Sequence, residues 1–286
     1  MQYGLPYKGS KSKIALEIID QLPPGRVLYD LFAGGCAITH AALLSGKWDR
    51  IVSNDIKPYP GLFRDAALGK YHADYRWVSR DDFFKSEDPF DRLIFSFGND
   101  LRTYIYAAGD VENWKKALHF AICFGDYKPF KDLTGKDLSF LEGESDMEKR
   151  RLRAYRFLGG RDYNIHLENL ERLGRLQNLE RLDVRLGSYQ DIEIEPGAVI
   201  YCDIPYRQTN GYGAKKISDF DYDSFYDWAK RQTAPVYISE YQMPDDFKCV
   251  WSRKVNSKMD AFSARHAVEK LYVNIGNANY SMQTLF

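Results

Sequence analysis

Apolar residues along this chain fall into two spacings, one of helices and one of short buried strands. From Ser10 or Ser12, either of which is placed to cap, Ile14, Leu16, Ile18, Ile19 and Leu22 trace an amphipathic helix stopped by Pro23-Pro24-Gly25. Val27-Leu28-Tyr29-Asp30-Leu31-Phe32 then predicts a strand, Ala33-Gly34-Gly35 a tight turn, and Ala37 to Ser45 a helix with Gly46 at its end. Arg50-Ile51-Val52-Ser53-Asn54-Asp55 predicts a second strand that finishes on an acid. Strand, glycine turn, helix and strand in that order are half of a nucleotide-binding fold.

Beyond about Asp65 the pattern changes to helices and loops, including a helix from Asn113 to Phe124 with Trp114, Ala117, Leu118, Ala121 and Ile122 on one face. An acidic patch from Glu142 to Glu148 precedes the basic run Lys149-Arg150-Arg151-Leu152-Arg153-Ala154-Tyr155-Arg156. That run reads either as a nucleic-acid contact or as a solvated helix face paired with the acids before it. Leucines recur at every third position from Leu167 to Leu182, but the pattern occurs once and a solenoid needs several copies. A helix from about Asn164 to Leu176, followed by a strand through Leu182, Val184 and Leu186, accounts for the same residues. Further strands are predicted at Ala198 to Cys202, Pro235 to Tyr241 and Lys270 to Asn274. The βαβ rhythm therefore resumes, and the fold class is α/β: a Rossmann-like core of residues 1–65 and 167–286, interrupted by a mostly helical insertion over 66–166.

Lysines plus arginines equal aspartates plus glutamates, 40 against 40 in 286 residues, so any surface for nucleic acid has to be local. Cys36, Cys123, Cys202 and Cys249 are scattered without metal-ligand or disulfide-like spacing, which predicts free thiols in a reducing cytosol. His40, His72, His119, His166 and His266 show no ligand spacing, and no metal is expected. No apolar run approaches the roughly 20 residues needed to cross a bilayer, and the first residues lack a signal-peptide core, so no membrane association is expected.

Chemistry concentrates at the predicted strand ends, where open α/β sheets collect ligands. Asp203-Ile204-Pro205-Tyr206 follows an apolar run directly and sets a carboxylate, a kinked carbonyl and an aromatic ring at one such end, a trio suited to a flat ring bearing an amine. The turn Phe32-Ala33-Gly34-Gly35 lets backbone approach a ligand and aims free N–H groups at it. It is neither the Gly-x-Gly-x-x-Gly fingerprint nor a P-loop, and with Asp55 placed for ribose hydroxyls it suits a nucleoside without a pyrophosphate. S-adenosylmethionine has that form, with an adenine for Tyr189 to cover.

Tyr7-Lys8-Gly9-Ser10-Lys11, Asp30-Leu31-Phe32-Ala33-Gly34-Gly35, Ser53-Asn54-Asp55, Gly187-Ser188-Tyr189 and Asp203-Ile204-Pro205-Tyr206, in this order, resemble the Dam-type DNA adenine-N6 methyltransferases. Ser96-Phe97-Gly98-Asn99, Ile238 to Pro244 and Glu269 to Asn274 are similar to the phage-encoded branch. The resemblance implies a class I S-adenosylmethionine-dependent methyltransferase core and makes the insertion a target-recognition domain. It implies that Tyr7 and Lys11 flank the cofactor, with Lys11 also reaching DNA, and that Asp30, Phe32, Ala33, Gly34, Gly35, Asp55, Ser188 and Tyr189 line its pocket.

Asp203 then serves cofactor and base: its carboxylate and the Ile204 carbonyl accept from the amine of a flipped adenine, and Tyr206 stacks on the ring. The family usually has proline where Ile204 stands; a backbone oxygen needs no particular side chain. Arg102, Arg150, Arg151, Arg153, Arg156, Lys215 and Lys216 are the expected contacts to double-stranded DNA. The expected particle is a monomer or weak dimer in the cytoplasm of a bacterial or phage-infected bacterial cell. N4-cytosine methylation, RNA adenine methylation and a catalytically silent DNA-binding homologue are the alternatives to the reaction.

Overall fold

The computed structural model describes residues 2–7, 9–160, 172–207, 220–256 and 266–274. The chain divides into two compact units, one of Met1–Leu5, Gly9–Leu68 and Arg175–Phe286, the other of Pro6–Lys8 and Gly69–Gly174. The first unit is built on a seven-stranded sheet whose strands, β1 (Gly25–Asp30), β2 (Trp48–Asp55), β3 (Leu182–Leu186), β4 (Val199–Cys202), β5 (Val236–Ser239), β6 (Phe247–Asn256) and β7 (His266–Asn274), lie in the order β3-β2-β1-β4-β5-β7-β6. The first five are parallel, and β7 runs antiparallel to both β5 and β6. This is an α/β sheet of the Rossmann-like kind predicted above.

Burial explains the sequence signal. Every residue of β4 and β5 is buried, as are the last four of β1, so these strands read as continuous apolar runs because both sheet faces are covered. Strand order reverses between β1 and β4, which pair side by side with Asp30 opposite Tyr201. A crevice opens at such a reversal, outside the carboxyl ends of the two strands.

Three helices accompany the first half of this unit. Ser10 rather than Ser12 is the cap, accepting the Ser12 N–H at 3.2 Å at the start of a short 3-10 turn, Lys11–Lys13, that leads into α1 (Ala15–Gln21). The Ser12 hydroxyl accepts the Tyr3 N–H at 2.7 Å instead. α2 (Ala37–Ser45) runs between the predicted bounds and ends on Gly46 at φ 68°, a left-handed conformation that glycine adopts without a Cβ clash. α3 (Tyr59–Ala67) follows β2 and buries Tyr59, Leu62 and Phe63.

The second unit consists of α4 (Arg80–Lys85), α5 (Pro89–Ile94), α6 (Asp110–Phe124), α7 (Lys128–Thr134) and α8 (Met147–Phe157), with an isolated antiparallel bridge between Ser96 and Tyr104. α6 buries Ala117, Leu118, Ala121 and Ile122 as the helical spacing predicted, and begins three residues earlier than Asn113, after Gly109. The helix expected from about Asn164 to Leu176 lies mostly outside the described residues, and its remaining part, Arg172–Arg175, is a 3-10 turn.

Where the chain returns to the sheet, α9 (Tyr222–Arg231) is capped by Asp221, whose carboxylate accepts the Ser224 N–H at 3.0 Å. Its Phe225, Tyr226 and Ala229 pack with Val27, Tyr29, Ile200, Ile204, Val236 and Ile238 in the core of the sheet unit. β6 was absent from the sequence expectation. Its register shifts between Cys249 and Trp251, which breaks the two-residue alternation a strand shows in sequence. The first strand ends at Asp30 and not at Phe32, since Leu31 onward turns into the glycine loop while the Leu31 N–H still reaches the Tyr201 carbonyl at 3.0 Å.

Candidate active site

Each parallel strand at the centre of the sheet delivers an acid at or just past its carboxyl end: Asp30 from β1, Asp55 from β2, Asp203 after β4 and Glu240 after β5. Asp30 is 1% exposed. One of its oxygens, Oδ2, accepts the Thr39 N–H at 3.1 Å and the Thr39 hydroxyl at 2.6 Å, and that hydroxyl lies 2.8 Å from Ser53 Oγ. The other, Oδ1, is buried without a hydrogen-bond partner. Burial pushes the Asp30 carboxyl up to about 7 against the help of Thr39, with the fields of Asp203 and Asp55 adding to the rise.

Asp55 organises the glycine turn. Its Oδ2 accepts the Gly34 N–H at 2.8 Å and its Oδ1 the Lys57 N–H at 2.9 Å, while burial is the main cause that lifts its pKa. Ala33 N–H goes to the Asn54 carbonyl at 2.9 Å and Cys36 N–H to the Ala33 carbonyl at 2.7 Å. The turn was expected to aim free N–H groups at a ligand; those of Ala33, Gly34 and Cys36 are instead committed within the protein. The N-terminal segment closes against the same loop. Leu5 N–H donates to the Gly35 carbonyl at 2.7 Å, Gly4 N–H donates to His40 Nδ1 at 3.0 Å, and Gly4 has φ +72°. A Cβ on Gly4 would lie 2.2 Å from the Gly35 oxygen and 2.8 Å from Ala37 N, so only glycine fits there.

Beside the turn stands an aromatic group. The Phe32 and Tyr189 rings are 5.2 Å apart at 33°, and Tyr189 meets Trp228 and Phe225 edge-on at 5.0 Å and 5.4 Å. Tyr189 is half-buried, and the Ser188 hydroxyl accepts the Gln190 N–H at 3.2 Å in the turn that presents it.

The Asp203-Ile204-Pro205-Tyr206 corner is held from behind. Ile204 is 2% exposed and packs in the core, the Pro205 carbonyl accepts from the Tyr222 hydroxyl at 2.9 Å, and Glu240 accepts the N–H groups of Arg207 and Tyr241, both at 2.8 Å. Ile204 therefore fixes the corner by packing. In front, Lys11 Nζ lies 2.8 Å from Asp203 Oδ1, 3.9 Å from Glu269 Oε2 and 4.6 Å over the Tyr206 ring centre. The Tyr206 hydroxyl donates to Glu269 Oε2 at 2.6 Å, and its ring meets Tyr241 edge-on at 4.5 Å. Burial raises the Asp203 pKa, Lys11 lowers it, and Glu269 adds to the rise. Glu240, 1% exposed, is also raised, by burial first.

The structure thus brings Lys11, Asp30, Phe32, Ala33, Gly34, Gly35, Asp55, Ser188, Tyr189 and the Asp203–Tyr206 corner to the carboxyl edge of one sheet unit. Tyr7 falls in Pro6–Lys8, which groups with the other unit. Gly4, Glu240 and Glu269 were not singled out in sequence. Glu240 carries the same signal as the other acids, since it ends the apolar run Val236-Tyr237-Ile238-Ser239; Glu269 stands at the head of a segment noted only for its resemblance, with no pattern of its own that marks a site.

Within the second unit, the expected DNA contacts divide. Arg102 is exposed on the loop that Ser96 and Tyr104 close, and Arg156 is exposed on α8. Arg150 donates to the Ala121 carbonyl at 3.3 Å and the Tyr127 hydroxyl at 3.2 Å. Arg153 donates to the Phe140 carbonyl at 2.9 Å and pairs with Glu144 at 3.8 Å, so the acids before the helix do engage part of the basic run. Arg151 is half-buried, and Lys215 and Lys216 lie outside the described residues. Among the described residues there is no cluster of three or more His, Cys, Asp or Glu side chains able to hold a metal ion, and no helix long and apolar enough to cross a membrane.

Residues 7–130, which contain the glycine turn and Asp55, match the model of the D12 class N6 adenine-specific DNA methyltransferase family. Over these residues the chain is similar to that family. The match supports N6 methylation of adenine in DNA, and methyltransferases of this kind use S-adenosylmethionine. The Asp203 corner lies beyond the matched stretch and rests on the geometry above. No curated protein matches the chain.

Two outcomes follow from the geometry of this site. Gly4→Ala forces the N-terminal segment off the glycine turn; thermal unfolding should show a lower Tm, and calorimetric titration should show at least several-fold weaker S-adenosylmethionine binding. Asp30 has a folded pKa of about 7 against an ordinary 3.8, so the folded protein keeps a proton that the unfolded chain has released. Stability of the cofactor-free protein therefore falls as pH rises from about 4 to about 7, by on the order of 4 kcal/mol from this group. Asp30→Asn removes that share of the slope; urea unfolding at pH 5 and pH 8 should show the variant losing less stability than the wild type, and parallel losses would refute the assignment.

Proposed function

We propose that the enzyme methylates an adenine extruded from duplex DNA, with Asp203, Ile204, Pro205 and Tyr206 forming the base site and Lys11, Asp30, Phe32, Ala33, Gly34, Gly35, Asp55, Ser188, Tyr189 and Asp203 the cofactor site. Tyr7 is assigned to the cofactor from the family pattern. The observation that carries this reading is the gathering of carboxylates at the carboxyl edge of the sheet around the strand-order reversal, with pKa values raised by burial and, for Asp30, Asp203 and Glu240, also by neighbouring carboxylates.

Such a set fits a cationic cofactor. Buried carboxylates repel until a positive charge is placed among them, and the unpartnered Asp30 Oδ1 is an acceptor for an ammonium group. When bound, S-adenosylmethionine supplies an electrophilic methyl carbon on a sulfonium, together with an amino-acid ammonium. Asp55 is positioned for ribose hydroxyls, and Phe32 and Tyr189 supply an aromatic wall for the nucleoside.

At the base site, the adenine amine is a weak nucleophile because its lone pair is delocalised into the ring. The Asp203 carboxylate and the Ile204 carbonyl accept its two N–H bonds, which favours tetrahedral nitrogen and stabilises the positive charge that develops there. Holding the reacting atoms in line provides the remaining acceleration, and no covalent enzyme intermediate is required. Asp203 need not be a strong base, since the nitrogen becomes acidic once it is alkylated. Tyr206 stacks on the extruded ring.

Unpairing an adenine costs a few kcal/mol, which contacts to phosphates offset. We assign 66–166 as the target-recognition domain, with Arg102 and Arg156 as its leading DNA contacts, and Arg150, Arg151 and Arg153 in support. Lys215 and Lys216, on the segment after the corner, complete the set. The reading includes membership of the phage-encoded branch, a monomer or weak dimer as the active particle, and no requirement for metal.

Sequencing with modification detection, on a genome exposed to the enzyme, should report N6-methyladenine at a defined site. Asp203→Asn should lower kcat by about a hundredfold or more while S-adenosylmethionine affinity changes by a few-fold. Undiminished turnover in that variant would overturn the role given to Asp203.

A further inference from the structure

Lys11 sits on the groups that the target adenine needs. Its ammonium is 2.8 Å from one Asp203 oxygen and 4.6 Å over the face of Tyr206, and the side chain is 9% exposed. A cation within about 6 Å of a ring centre is attracted to its face, so carboxylate and ring hold the ammonium together. An adenine stacking on that ring face and donating to that oxygen would meet the ammonium in its place. Removing the ammonium altogether is equally unfavourable, because Asp203 and Glu269 are 22% and 14% exposed and would face each other without a counter-charge.

Glu269 provides the alternative. It lies 3.9 Å from the same ammonium and accepts the Tyr206 hydroxyl at 2.6 Å. A displacement of about 1 Å brings that 3.9 Å separation to hydrogen-bond length, well within the freedom of a lysine side chain. Glu269 is contributed by β7, and Asp203 and Tyr206 by the corner after β4, so the two acids reach Lys11 from different elements.

We propose that Lys11 is a placeholder for the adenine amine, neutralising Asp203 while the base site is empty, and that Glu269 receives its ammonium when a base enters. Glu269 is then a positioning residue with two duties, holding Tyr206 in its stacking orientation and drawing Lys11 off Asp203. The exchange is of ion pairs only, with no proton or bond transferred. This inference rests on the reading of Asp203 to Tyr206 as the base site.

The test is base extrusion, read separately from DNA binding and from turnover. A duplex carrying 2-aminopurine at the adenine identified by sequencing is mixed with the enzyme and the demethylated cofactor product, and the fluorescence rise on unstacking is measured beside the anisotropy of a labelled duplex. Wild-type enzyme gives a rise. Glu269→Gln, which keeps an acceptor for the Tyr206 hydroxyl but loses the charge that attracts Lys11, should lower the extruded fraction about tenfold with duplex affinity within about twofold. Adding Lys11→Met to Glu269→Gln should restore extrusion toward the wild type, since no ammonium then competes for Asp203.

A purely structural Glu269 would show no such rescue. Equal extrusion in wild type and Glu269→Gln would overturn the receiving role, and a double variant no better than Glu269→Gln would overturn the placeholder. Were Glu269→Gln to misfold by circular dichroism, Glu269→Asp carries the test: its shorter side chain keeps the charge but holds it farther from Lys11, a lowered extruded fraction is expected, and extrusion equal to the wild type would overturn the receiving role. An absence of any rise in the wild type would refute the base site itself, and this inference with it.

Discussion

Carboxylates crowded at the carboxyl edge of a parallel sheet are the constraint on which this site depends. Asp30 and Asp203 end neighbouring strands at the point where strand order reverses; burial raises the pKa of both, the field of Asp203 adds to the rise at Asp30, and that of Glu269 to the rise at Asp203. A buried anion is tolerated when it is protonated, hydrogen-bonded or paired with a cation. All three solutions occur here: Asp30 shifts toward the protonated form, Asp55 is satisfied by backbone N–H groups, and Asp203 is paired with Lys11. A cofactor that brings positive charge completes such a site, which is why the chemistry of a sulfonium methyl donor suits it.

The surrounding framework is stiff where the acids are anchored. The glycine turn is tied to Asp55, to Asn54 and to the N-terminal segment through Leu5, and the Asp203 corner is fixed by Ile204 in the core, by Tyr222 and by Glu240. Lys11 is different in kind: a long side chain, on a short 3-10 turn, that touches a carboxylate, an aromatic face and a second carboxylate at once. Rigidity in the backbone and adaptability in one ammonium group suit the base exchange proposed for this site, in which the charge of Asp203 is neutralised until a flat ring enters.

How far the fold could be read from sequence depended on where each element sits. α2 ran between its predicted ends because a glycine turn precedes it and Gly46 follows, and β1, β2, β4 and β5 were visible because burial on both faces leaves uninterrupted apolar runs. β6 escaped because a shift in register disturbs its alternation. The basic run of α8 was ambiguous in sequence, and its arginines do divide, Arg150 and Arg153 bonding to neighbours in their own unit while Arg156 is exposed.

The amino-acid sequence alone determined the strand-ending acids Asp30, Asp55 and Asp203, the glycine turn and the Asp203 to Tyr206 corner, because each is a local pattern: an apolar run followed at once by a polar or small residue. Tertiary structure alone decided that Lys11 neutralises Asp203, that Glu269 holds Tyr206, and that Gly4 must lack a side chain against Gly35. Those pairings join residues far apart in the chain, and they arise from the order in which strands lie in the sheet and from the course of the N-terminal segment. Side-chain periodicity reports which face of an element is buried; it carries no information about which distant residue comes to lie opposite.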